Sequence, residues 1–147
     1  MNPDPQRRVY WTCAPWSLNP PIETCIRLLV QDFRKLRVWH DAQALAVSVY
    51  DVTEHFPRRE HFGLSAQLRR SVVSVSSNIA EGCGRDGPAE MSRFLQISIA
   101  STCELISQLD VAVRLGLVRT DSNLGDQADH VRRMLIKLQS RVELRRF

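Results

Sequence analysis

Lysine is nearly missing from this chain of 147 residues: Lys35 and Lys137 are the only two, and every other basic residue is arginine. A phosphate-binding GxxxxGK loop is therefore excluded wherever glycines cluster. Long apolar runs are also missing, and no uncharged stretch approaches the ~20 residues that cross a bilayer. The start, MNPDPQRRVYWTCAPW, carries no long apolar segment. The expectation is a cytoplasmic protein without membrane contact, its thiols reduced. Cys13, Cys25, Cys83 and Cys103 form no CxxC pair, and no histidine stands near one at metal-ligand spacing. HExxH, ExxH and GxSxG do not occur. These absences remove the usual zinc, di-iron and nucleophile-elbow signatures, so neither an enzyme nor a bound metal or cofactor is expected.

What is present is an ordinary core-forming composition. Hydrophobic residues make up 44% of the chain, and 20 basic against 16 acidic residues give a net charge of +4. That excess permits an anionic partner without requiring one. Arginine presents a planar fork suited to phosphate and carboxylate. Five of the seven prolines (Pro3, Pro5, Pro15, Pro20 and Pro21) and two tryptophans, Trp11 and Trp16, lie in the first 21 residues. Residues 1–32 read as an N-terminal extension, in which ETCIRLLVQ at 23–31 has the pattern of two helical turns. Residues 33–147 read as the folded domain.

Four amphipathic helices account for that domain. In the first, Leu36, Trp39, Ala42, Leu45 or Ala46, Val49, Val52 or Thr53, and Phe56 recur at three and four, and Pro57 closes the run. The second covers Ser65 to Gly82, with Leu64, Leu68, Val72, Val75, Ile79 and Gly82 inward and Ser71, Ser74, Asn78 and Glu81 alongside. Its VVSVSS partly alternates like a strand, but the longer helical period outweighs that. The third begins near Pro88 and closes at Gly116, with Met91, Phe94 or Leu95, Ser98, Thr102, Leu105, Leu109, Ala112 and Val113 inward. The fourth covers Asn123 to Leu144, with Leu124, Ala128, Val131, Leu135, Leu138 and Val142 inward. Short connections between them predict an all-α, antiparallel up-down-up-down four-helix bundle.

Gly82, Gly84 and Gly87 have the spacing of a dinucleotide fingerprint. That fingerprint requires a preceding strand, and the chain before Gly82 is helical. The better reading is a helix-helix junction in which Gly82 or Gly84 takes positive φ to close the second helix. Asn78, Glu81 and Gly82 then form a structural motif: Asn78 and Glu81 bond to the neighbouring helix or tie down the loop. Cys83, past a helix C-terminus, lacks the dipole that activates a thiolate. Cys103 is expected in the core or an interface. His130 stands near Asp126 and Asp129 on the polar side of the fourth helix.

The most concentrated charge is at the end. From His130 to Phe147 the chain holds Arg132, Arg133, Lys137, Arg141, Arg145 and Arg146 against one acid, Glu143. Arg133, Lys137 and Arg141 repeat at four and Arg145 extends the line, a stripe that could follow nucleic-acid phosphates. Basic residues near a helix C-terminus are also favoured simply by its dipole. Arg58, Arg59, Arg69 and Arg70 form smaller, secondary basic clusters.

Several strings occur together in order: FRKLRVW from Phe33, HFPRREHFGL from His55, QLRR from Gln67, NIAEG from Asn78, RFL from Arg93, Glu104–Leu105 and Leu115–Gly116. In this order they resemble the bacterial four-helix-bundle proteins encoded by intervening sequences of 23S ribosomal RNA genes. The resemblance implies a barrel-like homopentamer and kinship with the accessory variability protein of diversity-generating retroelements, a basic oligomer that binds nucleic acid and a reverse transcriptase. It brings no catalytic role for Asn78 or Glu81. Two functional expectations follow: a non-enzymatic oligomer that binds RNA or DNA through its arginines, or a scaffold for a protein partner.

Overall fold

The computed structural model describes residues 32–144. The proline- and tryptophan-containing stretch, the segment 23–31, Arg145 and Arg146 lie outside the described residues. Four helices follow one another: α1 (Arg37–Glu54), α2 (Leu64–Cys83), α3 (Gly87–Arg114) and α4 (Leu124–Glu143). Short 3-10 turns at Phe33–Lys35 and Arg58–Glu60 precede α1 and α2.

The approach to α1 is fixed by short-range bonds. Asp32 Oδ1 accepts the Arg34 N–H at 3.2 Å, and the Phe33 and Trp39 rings meet with centroids 4.9 Å apart. At its other end α1 stops before Pro57, as expected, and Phe56 folds back into the core at 5% exposure. The serine–valine run of α2 is helical throughout, because Val72, Val75 and Ile79 share one stripe and are wholly buried.

The α2–α3 junction differs from the expectation in its backbone. Neither Gly82 nor Gly84 has positive φ; Gly84 caps α2 at φ −84°. The left-handed residue is Gly87, at φ 85°, which turns the chain into α3 just ahead of Pro88. Gly82 is a glycine for another reason. A Cβ there would lie 2.9 Å from Phe94 Cβ and 3.0 Å from Met91 Sδ, so its missing side chain lets α3 approach. Gly116 behaves as expected. It has φ 70°, and its N–H bonds Val113 O at 3.0 Å while the Leu117 N–H bonds Ala112 O at 2.9 Å. These two bonds satisfy the last carbonyls of α3.

Neighbouring helices are antiparallel. Moving along α2 from Ser74 to Gly82, the partners on α3 run backwards from Ser101 to Phe94 and Met91. Likewise Ser92 at the start of α3 bonds Glu143 at the end of α4, at 2.8 Å. α1 packs on α2, α2 on α3, α3 on α4, and α4 on α1, which closes the ring. Leu45, Leu68, Ile79, Leu95, Leu105 and Leu135 fill its centre at 1% exposure or less. The expected four-helix bundle is the observed fold.

Candidate nucleic-acid interface

The inner face of α4 is set by Leu124, Ala128, Val131, Leu135 and Val142, all buried. That face fixes the opposite one. Arg133, Lys137 and Arg141 are exposed and lie one turn apart. Each step of four residues rises about 6 Å along a helix, so the three charges span about 12 Å in a line. None of the three joins an ion pair among the described residues, whereas Arg37, Arg59, Arg85, Arg93, Arg119 and Arg132 all do.

Arg132 therefore departs from the group in which the sequence placed it. It is half-buried, and its guanidinium donates from Nε and Nη2 to Asp129 Oδ1 at 3.1 and 3.0 Å. Three positions along the chain puts the two residues on the same side of the helix, which the count of basic residues ignores.

The secondary cluster divides in the same way. Arg58, Arg59 and Arg70 are exposed. Arg69 is half-buried and structural: its Nε–H donates to Thr53 Oγ1 at 2.8 Å, and its guanidinium lies 4.8 Å over the Tyr50 ring. It pins α2 to α1.

Of the two roles expected of Asn78 and Glu81, Glu81 takes the loop-tying one, whereas Asn78, among the described residues, makes no bond to the neighbouring helix and bonds only within α2. Asn78 Nδ2 donates to Ser74 O at 2.7 Å and to Ser74 Oγ at 3.0 Å, and Ser74 Oγ lies 2.9 Å from Ser101 Oγ on α3. Asn78 thus orients the hydroxyl that crosses to the next helix. Glu81 instead holds the loop through an ion pair with Arg85, whose guanidinium also covers the Phe94 ring at 5.2 Å.

The thiols are placed differently from one another. Cys83 is buried, at the last position of α2, and desolvation with a smaller contribution from the Asp32 carboxylate pushes its pKa from 9.0 up to about 11. A thiol held neutral in this way is a poor nucleophile. Cys103, expected in the core or an interface, is exposed on α3. One residue after buried Thr102, it is rotated by about 100° out of the core.

Two features escaped the sequence. Phe62 in the α1–α2 turn is 97% exposed. Its signal was a phenylalanine among charges that falls outside both flanking helical periods. His130 does not engage Asp126 or Asp129: its Nε2 lies 3.5 Å from Asp41 Oδ2 on α1. Asp41 and Ala44 of α1, with Asp126, His130 and Val131 of α4, line an open pocket of about 330 Å³. Among the described residues no three His, Cys, Asp or Glu side chains converge to hold a metal ion. No helix among them is long and apolar enough to cross a membrane.

A four-helix bundle with an exposed arginine–lysine stripe on its last helix defines a class of protein; comparison with known proteins supplies the family. The chain belongs to the 23S rRNA-intervening sequence protein family, whose model matches residues 34–137. A solved structure from Bacteroides thetaiotaomicron VPI-5482, called a protein with unknown function from the S23 ribosomal protein family, superposes with a TM-score of 0.66. The two are 19% identical, and the match covers 70% of this chain and 95% of that one. At that identity the likeness speaks for the fold. Comparison with curated proteins finds no match.

Proposed function

We propose that this protein is a non-enzymatic, homo-oligomeric bundle that binds RNA or DNA through phosphate contacts. The observation that carries the reading is the exposed stripe Arg133–Lys137–Arg141, which joins no ion pair among the described residues where six other arginines do. A line of cations about 6 Å apart suits a polyanion whose charges also repeat regularly. The contacts are to phosphate, so binding is salt-sensitive and largely indifferent to sequence. Repeating the stripe around a symmetric ring multiplies its potential. The resemblance noted above points to a pentameric ring.

A protein-scaffold role is the second reading. It draws on apolar side chains left on the outer faces, among them Val47 at 61%, Val111 at 45% and Ile136 at 41% exposure. Such residues also suit contacts between copies of the chain. By kinship, a reverse transcriptase is the partner class to try.

Light-scattering mass combined with the absorbance ratio at 260 and 280 nm tests the main reading on one purified sample. The expected result is a mass of several protomers with excess absorbance at 260 nm that nuclease removes. A monomer that carries no nucleic acid and acquires none at low salt would reject it.

A further inference from the structure

The turn between α1 and α2 carries a side chain that the bundle does not use. Phe56, at one end of this turn, is 5% exposed, whereas Phe62, at the other, is 97% exposed. The exposed ring does not sit on a slack loop. Pro57 O accepts the Glu60 N–H at 2.8 Å, Arg58 O accepts the His61 N–H at 3.2 Å, and Glu60 O accepts the Gly63 N–H at 3.1 Å. Glu60 Oε2 also accepts the Leu64 N–H at 3.4 Å, which joins the turn to α2. Three successive turns thus present Phe62 to solvent from an ordered backbone.

Its neighbours in the turn carry two arginines and a histidine against one acid, Glu60. Arg58, Arg59 and His61 are all exposed, and Arg59 meets Glu60 only at 3.8 Å with 79% of its side chain in solvent. Below the turn, Tyr50 is 43% exposed under the Arg69 guanidinium, and Arg70 is exposed on α2.

We infer that this turn is a base-stacking site for single-stranded nucleic acid, in which an unpaired base stacks on Phe62 and Arg58 and Arg59 take the flanking phosphates. The inference rests on the reading of the protein as a nucleic-acid binder; it adds a second contact region and a preference for unpaired strands. Aromatic faces combined with cations are how sequence-tolerant single-strand binders work. A duplex offers such a ring little, because its bases are already stacked on each other. A protein-docking hot spot would have an apolar surround that excludes water. In this turn the four residues that precede Phe62, Arg58 to His61, are charged or imidazole instead.

The test is fluorescence anisotropy on the full chain with a labelled oligouridylate of fifteen nucleotides and an RNA duplex of the same length, at several salt concentrations. Phe62→Ala should weaken binding of the single strand by about tenfold and leave its salt slope unchanged. Phe62→Tyr, which keeps the ring, should stay within about twofold of the parent, and duplex binding by Phe62→Ala should change by less than about twofold. Arg58→Gln with Arg59→Gln should flatten the single-strand slope by about 1.4. Phe62 supports no core, so helix content and light-scattering mass should match the parent in every variant. The inference is overturned if Phe62→Ala binds the single strand like the parent, if it loses single strand and duplex equally, or if its mass falls. The last result would make Phe62 a contact between copies. Loss of binding in an Arg133→Gln, Lys137→Gln, Arg141→Gln variant, with Phe62→Ala unchanged, would sink this inference alone. A parent that binds neither probe at low salt would remove the proposed function and this inference together.

Discussion

The contact between α2 and α3 and the contact between α1 and α4 are built from the same helical period and come out very differently. Of the four neighbouring helix pairs, α2 and α3 share the most extensive contact and α1 and α4 the least. Between α2 and α3, Gly82 admits Phe94 and Met91, and Ser98 Oγ on α3 donates to Val75 O on α2 at 2.8 Å. A side chain of one helix thus bonds the main chain of the other. Between α1 and α4 the polar groups stand further off: His130 and Asp41 are 3.5 Å apart beside an open pocket. Apolar stripes decide that helices pack. Small residues decide how closely, and what lies between them.

The largest expected contrast is in thiol chemistry. Cys83 lies in the closed half of the bundle with its pKa raised to about 11, while Cys103 is exposed. At pH 8 a shift of two units lowers the thiolate fraction about a hundredfold. With Cys13→Ser and Cys25→Ser to simplify the readout, an alkylating reagent should modify Cys103 in the native protein and Cys83 only after unfolding. Equal rates would mean that the end of α2 opens readily. The same shift has a stability sign. The contribution of Cys83 is fully present below about pH 9 and is lost as pH rises towards 11, because the unfolded chain releases that proton first.

Next in size is Gly82→Ala. Its new methyl would meet Phe94 Cβ at 2.9 Å, so α3 must move away, at a cost of about 1–3 kcal/mol in urea unfolding. A neutral result would show that the close approach is not needed. Two buried serines of α2 and α3 sharpen the point. Ser98→Ala removes the bond to Val75 O and should cost about 1 kcal/mol. Ser71 Oγ is buried without a partner, so Ser71→Ala should be neutral or stabilising by up to about 1 kcal/mol. The reverse order for these two serines would contradict the assigned bonds. Smallest of all is His130→Ala across α1 and α4. Its ring is half in solvent and the contact is long, so the expected change is below about 0.5 kcal/mol.

The same comparison explains what the sequence made legible. The four helices could be read because each burial stripe repeats many times: α4 alone commits Leu124, Ala128, Val131, Leu135 and Val142 to one face. The serine and asparagine stripe of α2 was visible for that reason, although its partners on α3 were not. Contacts made once by residues far apart leave no period, so Asp41–His130 and Arg69–Thr53 could not be read. Gly82 was legible as part of the buried stripe but not as a close contact free of positive φ, because glycine serves both and only the neighbours on α3 decide between them. The candidate interface was half legible. Spacing gave Arg133, Lys137 and Arg141, but the pairing that withdraws Arg132, and the exposure of Phe62, are properties of the folded chain.

The central claim is that the exposed stripe of α4 meets phosphates, and the salt dependence of binding reads this directly. Affinity for a labelled single-stranded RNA is measured from about 50 to 300 mM salt for the parent and for Arg133→Gln, Lys137→Gln, Arg141→Gln. Each lost phosphate contact removes about 0.7 from the slope of log K against log salt, so the variant should be flatter by about 2 or more, with its helix content intact. Parallel slopes for the two proteins would contradict the claim.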